Sequence, residues 1–253
     1  MNKSTLEARS LWKVFTAVDK TELQTVSDIT LSVKKGEFVC IVGPSGCGKT
    51  TILQMLGGLV PATKGDVKFE GAPLTGPTSE IGMVFQKPNL MPWRTVLENV
   101  MLPLQIKGLP RAIQKQNASE MLQTVGLSDF ADHYPKTLSG GMEQRVVLAR
   151  TLITHPEILL LDEPFAALDA LTREKLNIEL LRLWRERHLT AVMVTHNIRE
   201  AVFFSDRVLV LSPRPGTIAK EFIIDLPRPR DEKIEYTSTF VDLSYEIRKA
   251  IKA

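Results

Sequence analysis

Several things are scarce in this sequence, and each absence narrows what it can be. Only two cysteines, Cys40 and Cys47, occur in 253 residues. That is too few for a disulfide framework, and no Cys/His set has zinc-ligand spacing, so a reducing compartment is expected. Charge of one sign is also lacking: 32 Lys and Arg stand against 29 Asp and Glu, a formal charge of +3. A pI of about 8.8 is too mild to point to nucleic acid without a local basic patch. Long hydrophobic runs are missing as well. Ile158-Leu159-Leu160-Leu161 is typical, far short of the roughly 18 residues of a membrane-spanning helix. Any work at a membrane therefore needs another chain to carry the span. Met1 to Ser10 is polar, with charges of both signs and no apolar stretch of the signal-peptide kind. Trp12, Trp93 and Trp184 are scattered rather than grouped into a stacking platform. What remains is 43% apolar and 24% charged, an ordinary globular balance that excludes a disordered or fibrous chain.

Four short apolar runs read as strands covered on both faces: Phe38 to Val42, Ile158 to Leu161, Ala191 to Val194 and Val208 to Leu211. Helical patterns fall between them. After Ala170, for example, Leu176, Leu180, Leu183 and Trp184 share one face while Arg173, Glu174, Arg182 and Arg185 lie elsewhere. Strands alternating with helices predict an α/β domain with a mostly parallel sheet. From about residue 90 to 152 the pattern turns purely helical, which predicts a helical insertion. Thr95-x-x-Glu98 reads as a capping box, Pro110 as a helix start and Gly126 as a helix end. Ile29 to Val33 alternates, and predicts antiparallel strands leaning on the core. Beyond Pro227-Arg228-Pro229, Phe240, Leu243, Ile247 and Ile251 fall on one helical face. The expected division is a main domain over 1–225 and an extension over 226–253 whose helix packs on it.

Gly43-Pro44-Ser45-Gly46-Cys47-Gly48-Lys49-Thr50 fits the P-loop pattern GxxxxGK[ST], with an apolar strand before it and a helix-forming run from Thr51 after it. Backbone N–H groups of such a loop and the following helix start cradle phosphate oxygens. Lys49 would reach the β- and γ-phosphates and the Thr50 hydroxyl would hold Mg²⁺. Asp162-Glu163 closes a second apolar strand. Asp162 is placed to hold Mg²⁺ through water, and Glu163 to polarise a water aimed at the γ-phosphate. Leu138-Ser139-Gly140-Gly141-Met142 opens a helical run and forms a second anion site. One nucleotide held by one chain has no use for it. Two copies meeting head to tail do, each closing the other's site.

With these motifs in this order the chain resembles an ABC-family ATPase subunit, over about residues 8 to 225. Leu138-Ser139-Gly140-Gly141 is similar to that family's signature motif. Gln86, after Met83-Val84-Phe85, resembles the Q-loop glutamine, and Ala167-Leu168-Asp169 resembles the D-loop. His196 resembles the switch histidine that touches the γ-phosphate, and Phe15 the aromatic residue that stacks on adenine. Met142, Glu143, Ala167 and Asn197 depart from the commonest pattern without removing a group the chemistry needs. The resemblance implies a P-loop NTPase core with a mostly parallel sheet, an antiparallel β subdomain and an inserted helical signature subdomain.

The resemblance also implies an ATPase. ATP would be cradled by Gly43 to Thr51, with Ser139, Gly140, Gly141 and Asp169 completing the site, and Mg²⁺ held by Thr50, Gln86 and Asp162. Glu163 would be the general base, with His196, Gln86 and Lys49 as the other catalytic groups. The implied partners are a second ATPase subunit, transmembrane permease subunits and, indirectly, an extracytoplasmic solute-binding protein, with no nucleic acid. The location implied is peripheral, on the cytoplasmic face of the membrane. Gln86 through Val100 and Ser212-Pro213-Arg214-Pro215-Gly216 resemble the nitrate, sulfonate and taurine importer branch. An exporter motor would share the catalytic residues. A soluble ABC ATPase of DNA repair or translation would bring coiled-coil arms or a second motor, and neither is present.

Three expectations concern single residue types. Cys47, beside Lys49 at a helix start, is expected to be either thiolate-prone, so that alkylation would block nucleotide binding and ATP would protect, or a small tolerated residue with no role. Arg145, Arg150, Arg182, Arg185 and Arg187 are expected on solvated faces. His133, His155 and His188 are expected to be structural or solvated.

Overall fold

The computed structural model describes residues 4–16 and 21–252. In chain order the elements are β1 (Ser4–Thr16), β2 (Glu22–Lys34), β3 (Phe38–Val42), α1 (Lys49–Leu56), β4 (Lys64–Phe69), β5 (Ala72–Pro73) and β6 (Ile81–Val84). Three helices follow, α2 (Val96–Ile106), α3 (Arg111–Thr124) and α4 (Gly140–Leu152). Then come β7 (Ile158–Asp162), α5 (Ala170–Glu186), β8 (Thr190–Val194), α6 (Ile198–Phe204), β9 (Arg207–Leu211), β10 (Ile218–Ile223) and α7 (Ser238–Lys252).

All four apolar runs are strands of one six-stranded sheet, ordered β10-β9-β3-β8-β7-β6. Neighbours from β9 to β6 run parallel, and β10 closes one edge antiparallel to β9. Their lack of polar alternation has a direct cause, since residues on both faces are buried. Phe38, Cys40 and Val42 join the core on the helical side, whereas Val39 and Ile41 join the core shared with α1 and the antiparallel sheet. The same split holds for Leu159 and Leu161 against Ile158 and Leu160. The second sheet, β2-β1-β4-β5, is antiparallel and covers that other face.

Between β6 and β7 the regular elements are helices. Thr95 and Glu98 form a reciprocal capping box at the start of α2, Pro110 stands directly before α3, and Gly126 turns the chain with φ +68° after it. At the other end Phe240 and Ile247 of α7 are fully buried, with Leu243 and Ile251 packed beside them. Arg230 extends this packing. Its guanidinium, 6% exposed, donates to the carbonyls of Val202, Phe203 and Ser205 at the C-terminal end of α6, where the helix dipole favours a cation. Burial lowers its pKa to about 10, so it remains charged. Arg199, near the start of the same helix, pairs with Glu235 and lies 5.3 Å from the Phe240 ring. The C-terminal segment therefore grips α6 at both ends.

Candidate active site

In an open parallel sheet, ligands bind beyond the carboxyl ends of the strands. Here that edge brings together four turns separated in sequence. They follow β3, β8, β7 and β6, which stand side by side in that order. The P-loop follows β3, Thr195-His196 follows β8, Asp162-Glu163 ends β7, and Gln86 lies just past β6. Ser45, Gly46, Gly48, Lys49, Thr50, Thr51, Gln86, Glu163 and His196 line one cavity of about 460 Å³. Two further residues complete its wall, Thr25 and Arg214.

Each side chain is held by a definable contact. Lys49, 7% exposed, donates from Nζ to the carbonyls of Gly43 and Pro44, both at 2.9 Å, which ties the two ends of the loop together. The Thr50 hydroxyl donates to Asp162 Oδ1 at 3.0 Å. Asp162 is 6% exposed. Burial raises its pKa, opposed by the Thr50 hydrogen bond and Lys49 and reinforced by Glu163. Glu163 has φ +44°, a left-handed conformation that a non-glycine residue adopts at a cost of about 1–3 kcal/mol. The twist separates the two acids. Asp162 stays behind Thr50 while Glu163 reaches into the cavity, and the Glu163 N–H bonds to the Val194 carbonyl at 2.9 Å.

Glu163 Oε2 is the meeting point of the far wall. His196 Nδ1 lies 2.9 Å from it and Gln86 Nε2 donates to it at 3.5 Å. A carboxylate only accepts, so Nδ1 carries the proton in this contact and Nε2 of the exposed ring is left to the cavity. Among the described residues no hydrogen bond reaches the second carboxylate oxygen, Oε1. Beneath His196, Thr195 donates to Glu200 at 2.9 Å, and Asn197 both caps α6 and donates to Glu200 at 3.1 Å. Glu200 is buried, which raises its pKa, and Arg173 lies 3.7 Å away while donating to the Leu168 carbonyl at 2.7 Å. Arg173 and Glu200 thus connect the His196 turn to the turn before α5. The sequence offered no signal for either.

Other expected residues lie outside this cavity. Ser139 caps α4 and accepts from the Met142 N–H at 3.4 Å, with Gly140 exposed beside it. A Cβ on Gly141 would come within 2.5 Å of Thr172, so only glycine lets α4 seat against α5 at this point. Asp169 caps α5 by accepting from the Thr172 N–H at 3.0 Å, and that bond holds its carboxyl below the usual range. The start of α4 and the cap of α5 form one surface, separate from the P-loop cavity. Phe15 stands near the end of the β1–β2 pair, 41% exposed, with the Lys13 ammonium 4.9 Å from its ring centre, and is not part of the cavity wall.

Two expectations need correcting. Cys47 is 1% exposed and packs in the core shared by α1 and the antiparallel sheet. Burial raises the pKa of its thiol, outweighing Lys49 and Arg214, so it is no accessible thiolate. Cys40 is buried too, as expected. Nor do all the arginines sit on solvated faces. Arg145 pairs with Glu179 at 3.0 Å, and Arg150 donates to the carbonyls of Pro88 and Asn89, both at 3.0 Å. Arg150 therefore braces the segment after Gln86 from α4. Arg182 and Arg185 are exposed, and Arg187 is half-buried. His133, His155 and His188 are exposed and are not part of the cavity wall.

Thr50 Oγ1 and Asp162 Oδ1 are hard oxygen donors that suit Mg²⁺, and the Gln86 amide oxygen is a third. Among the described residues no three His, Cys, Asp or Glu cluster as a complete metal cage. No helix among the described residues is long and apolar enough to cross a membrane.

Residues 26–166 match the ABC transporter family. An uncharacterized ABC transporter ATP-binding protein of Methanocaldococcus jannaschii is 46% identical over 255 residues, covering 99% of this chain and 95% of that one. A nitrate import ATP-binding protein of Synechocystis is 41% identical, covering 98% and 95%. A taurine import ATP-binding protein of Roseobacter denitrificans is 44% identical over 79% of this chain and 75% of its own length. Among solved structures, a dimeric ATP-binding cassette in a post-hydrolysis state with ADP and Pi superposes with TM-score 0.77. It is 34% identical, over 88% of this chain and 100% of that one.

Proposed function

The chain belongs to the ABC transporter family of ATPases, and we propose that it is the motor subunit of an importer for a small solute such as nitrate, a sulfonate or taurine. Residues 1–225 are the motor domain and 226–253 an extension on it. The motor works as a head-to-tail pair, each nucleotide lying between the P-loop of one copy and Ser139–Gly141 of the other. The observation that carries this reading is the separation of the two anion-binding surfaces. Lys49, Thr50, Glu163 and His196 share one cavity, while the start of α4 lies outside it.

In this reading Gly43 to Thr51 cradle the phosphates, and Lys49 is the cation facing the β- and γ-phosphates. Thr50, Gln86 and, through water, Asp162 would hold Mg²⁺, which would supply positive charge against the phosphates. Glu163 takes the proton of the attacking water on Oε1, its other oxygen being held by His196 and Gln86. His196 is oriented through Nδ1 and presents Nε2 to the transferring phosphoryl group. Ser139 and Gly141 of the second copy close the cage, with Asp169 beside them. Phe15 supplies an aromatic face for adenine. Closure on ATP and reopening after hydrolysis is a rigid-body switch of the kind a transporter needs.

The relatives' names support an importer, with separate permease subunits carrying the membrane spans and a solute-binding protein outside. The motor would then be peripheral, on the cytoplasmic face. Purification of the tagged chain from mildly solubilised host membranes tests this. A multi-span permease in stoichiometric amount is expected. Recovery with soluble proteins, ribosomes or DNA alone would overturn the transport role and leave the ATPase chemistry standing.

A further inference from the structure

Arg214 is the one residue of the cavity wall whose charge the catalytic scheme does not use. It sits in the loop between β9 and β10, about 170 residues after the P-loop, and its guanidinium lies on the P-loop itself. Nε donates to the Gly46 carbonyl at 3.0 Å. Nη2 lies 2.9 Å from where a Cβ on Gly46 would stand. The side chain lines the same cavity as Lys49 and Thr50. Among the described residues Arg214 forms no salt bridge, and its two Nη groups have no hydrogen-bond partner. Lys49, on the same wall, is bonded only to carbonyls. Two cations, neither in a salt bridge among the described residues, thus face a cavity whose one wall carboxylate, Glu163, is bonded to His196 and Gln86, and the resulting field favours an anion.

The loop is built to hold this arginine in place. Gly216 donates to the Thr25 carbonyl and accepts from the Ser27 N–H, both at 3.0 Å, which stitches the loop to β2. A Cβ on Gly216 would come within 2.1 Å of the Cys47 carbonyl, so only glycine permits this approach to the P-loop. The Ser212 hydroxyl reaches the Pro213 and Pro215 carbonyls and Thr217 Oγ1 at 3.0–3.2 Å and braces the loop from within. Arg214 stands between two prolines, which limits the backbone freedom lost on binding.

We propose that Arg214 is a second phosphate-binding cation of the nucleotide site, using Nε to anchor the P-loop and its Nη groups to bind the phosphate chain of a nucleoside di- or triphosphate. A planar guanidinium already held by one N–H offers the remaining donors in a fixed fork suited to phosphate oxygens. The inference rests on the ATPase reading and adds a residue that the P-loop pattern does not contain.

Titration of the purified full chain with MgADP, over a range of salt concentrations, tests it. Arg214→Gln keeps a donor for the Gly46 carbonyl and removes the charge. It is expected to weaken MgADP binding about tenfold, close to 1.4 kcal/mol, and to flatten the salt dependence. Its thermal midpoint without nucleotide should match the wild type. Arg214→Lys should bind with intermediate affinity. Wild-type affinity in Arg214→Gln overturns the proposal, as does equal weakening in Arg214→Lys. A loss of affinity matched by a fall in thermal midpoint also overturns it, because Arg214 would then only brace the loop. If the wild type itself fails to bind MgADP, the nucleotide reading fails and this inference with it.

Discussion

The two ends of the nucleotide machinery are built differently within one chain. The P-loop cavity is internally braced. Lys49 spans the loop carbonyls, Thr50 holds Asp162, and Glu163, Gln86 and His196 hold one another. The start of α4 uses its serine to cap its own helix, with Gly140 exposed beside it and Gly141 packed against α5, and none of the three lines the P-loop cavity. The first region is a set of side chains braced against one another inside a single copy, whereas the second is braced only within its own helix and against α5. On the head-to-tail pairing proposed above, this difference would put the on–off control of hydrolysis at the encounter of two copies rather than in the groups that do the chemistry.

If the P-loop side holds the chemistry, its base should be the most sensitive point. Glu163→Gln keeps the shape and removes the proton acceptor, so hydrolysis should fall by about a hundredfold or more. ATP binding should persist, and the pair should stay closed, as checked by single-turnover rates and size-exclusion chromatography with ATP. Hydrolysis at the normal rate would assign the base elsewhere.

A smaller effect separates function from stability just behind that wall, at Asp162. Burial raises the Asp162 pKa, so folding disfavours its charged form. Stability from this group is complete below its unfolded value of about 3.9 and is lost as pH rises through the higher folded value. Asp162→Asn should therefore abolish Mg²⁺-dependent hydrolysis. It should also raise the thermal midpoint of the nucleotide-free protein at neutral pH by a few degrees, since about 1 kcal/mol is worth about 2–4 °C in a chain of this size. The gain should vanish near pH 3. Thermal melts across pH measure it, and a lower midpoint at neutral pH would contradict the account.

The smallest effect concerns Cys47, where the P-loop meets the core. Maleimide should label it more slowly in the native protein than in denaturant, by about an order of magnitude or more, with little added protection from ATP. Fast native labelling would mean that the P-loop side is less rigid than the burial of Cys47 implies.

Legibility in the sequence followed the range of the contacts involved. Continuous apolar runs such as Ile158 to Leu161 announced strands buried on both faces because neighbouring residues enter different cores. Thr95 and Glu98 announced a helix start because a capping box is complete within four residues. Motif order located the P-loop, Asp162, Glu163, Gln86 and His196, all of which end in adjacent strands or turns. The positive φ of Glu163 had no marker, because no glycine stands there. The Arg173–Glu200 and Arg214–Gly46 contacts act across 27 and 168 residues of chain, and no local pattern encodes them. The Cys47 thiol was misjudged for a related reason. Its neighbours in sequence are a lysine and a helix start, but its neighbours in space are apolar.

The most direct test of the central claim is to mix two inactive variants, Lys49→Ala and Ser139→Arg, and measure ATP hydrolysis. Neither alone should hydrolyse ATP, since every site formed lacks either a P-loop cation or an intact α4 start. In mixed pairs one site joins the intact P-loop of the Ser139→Arg chain to the intact α4 start of the Lys49→Ala chain. Hydrolysis is therefore predicted to reappear on mixing. A mixture as inactive as its parts, or a Ser139→Arg chain that hydrolyses ATP normally alone, would contradict the composite site.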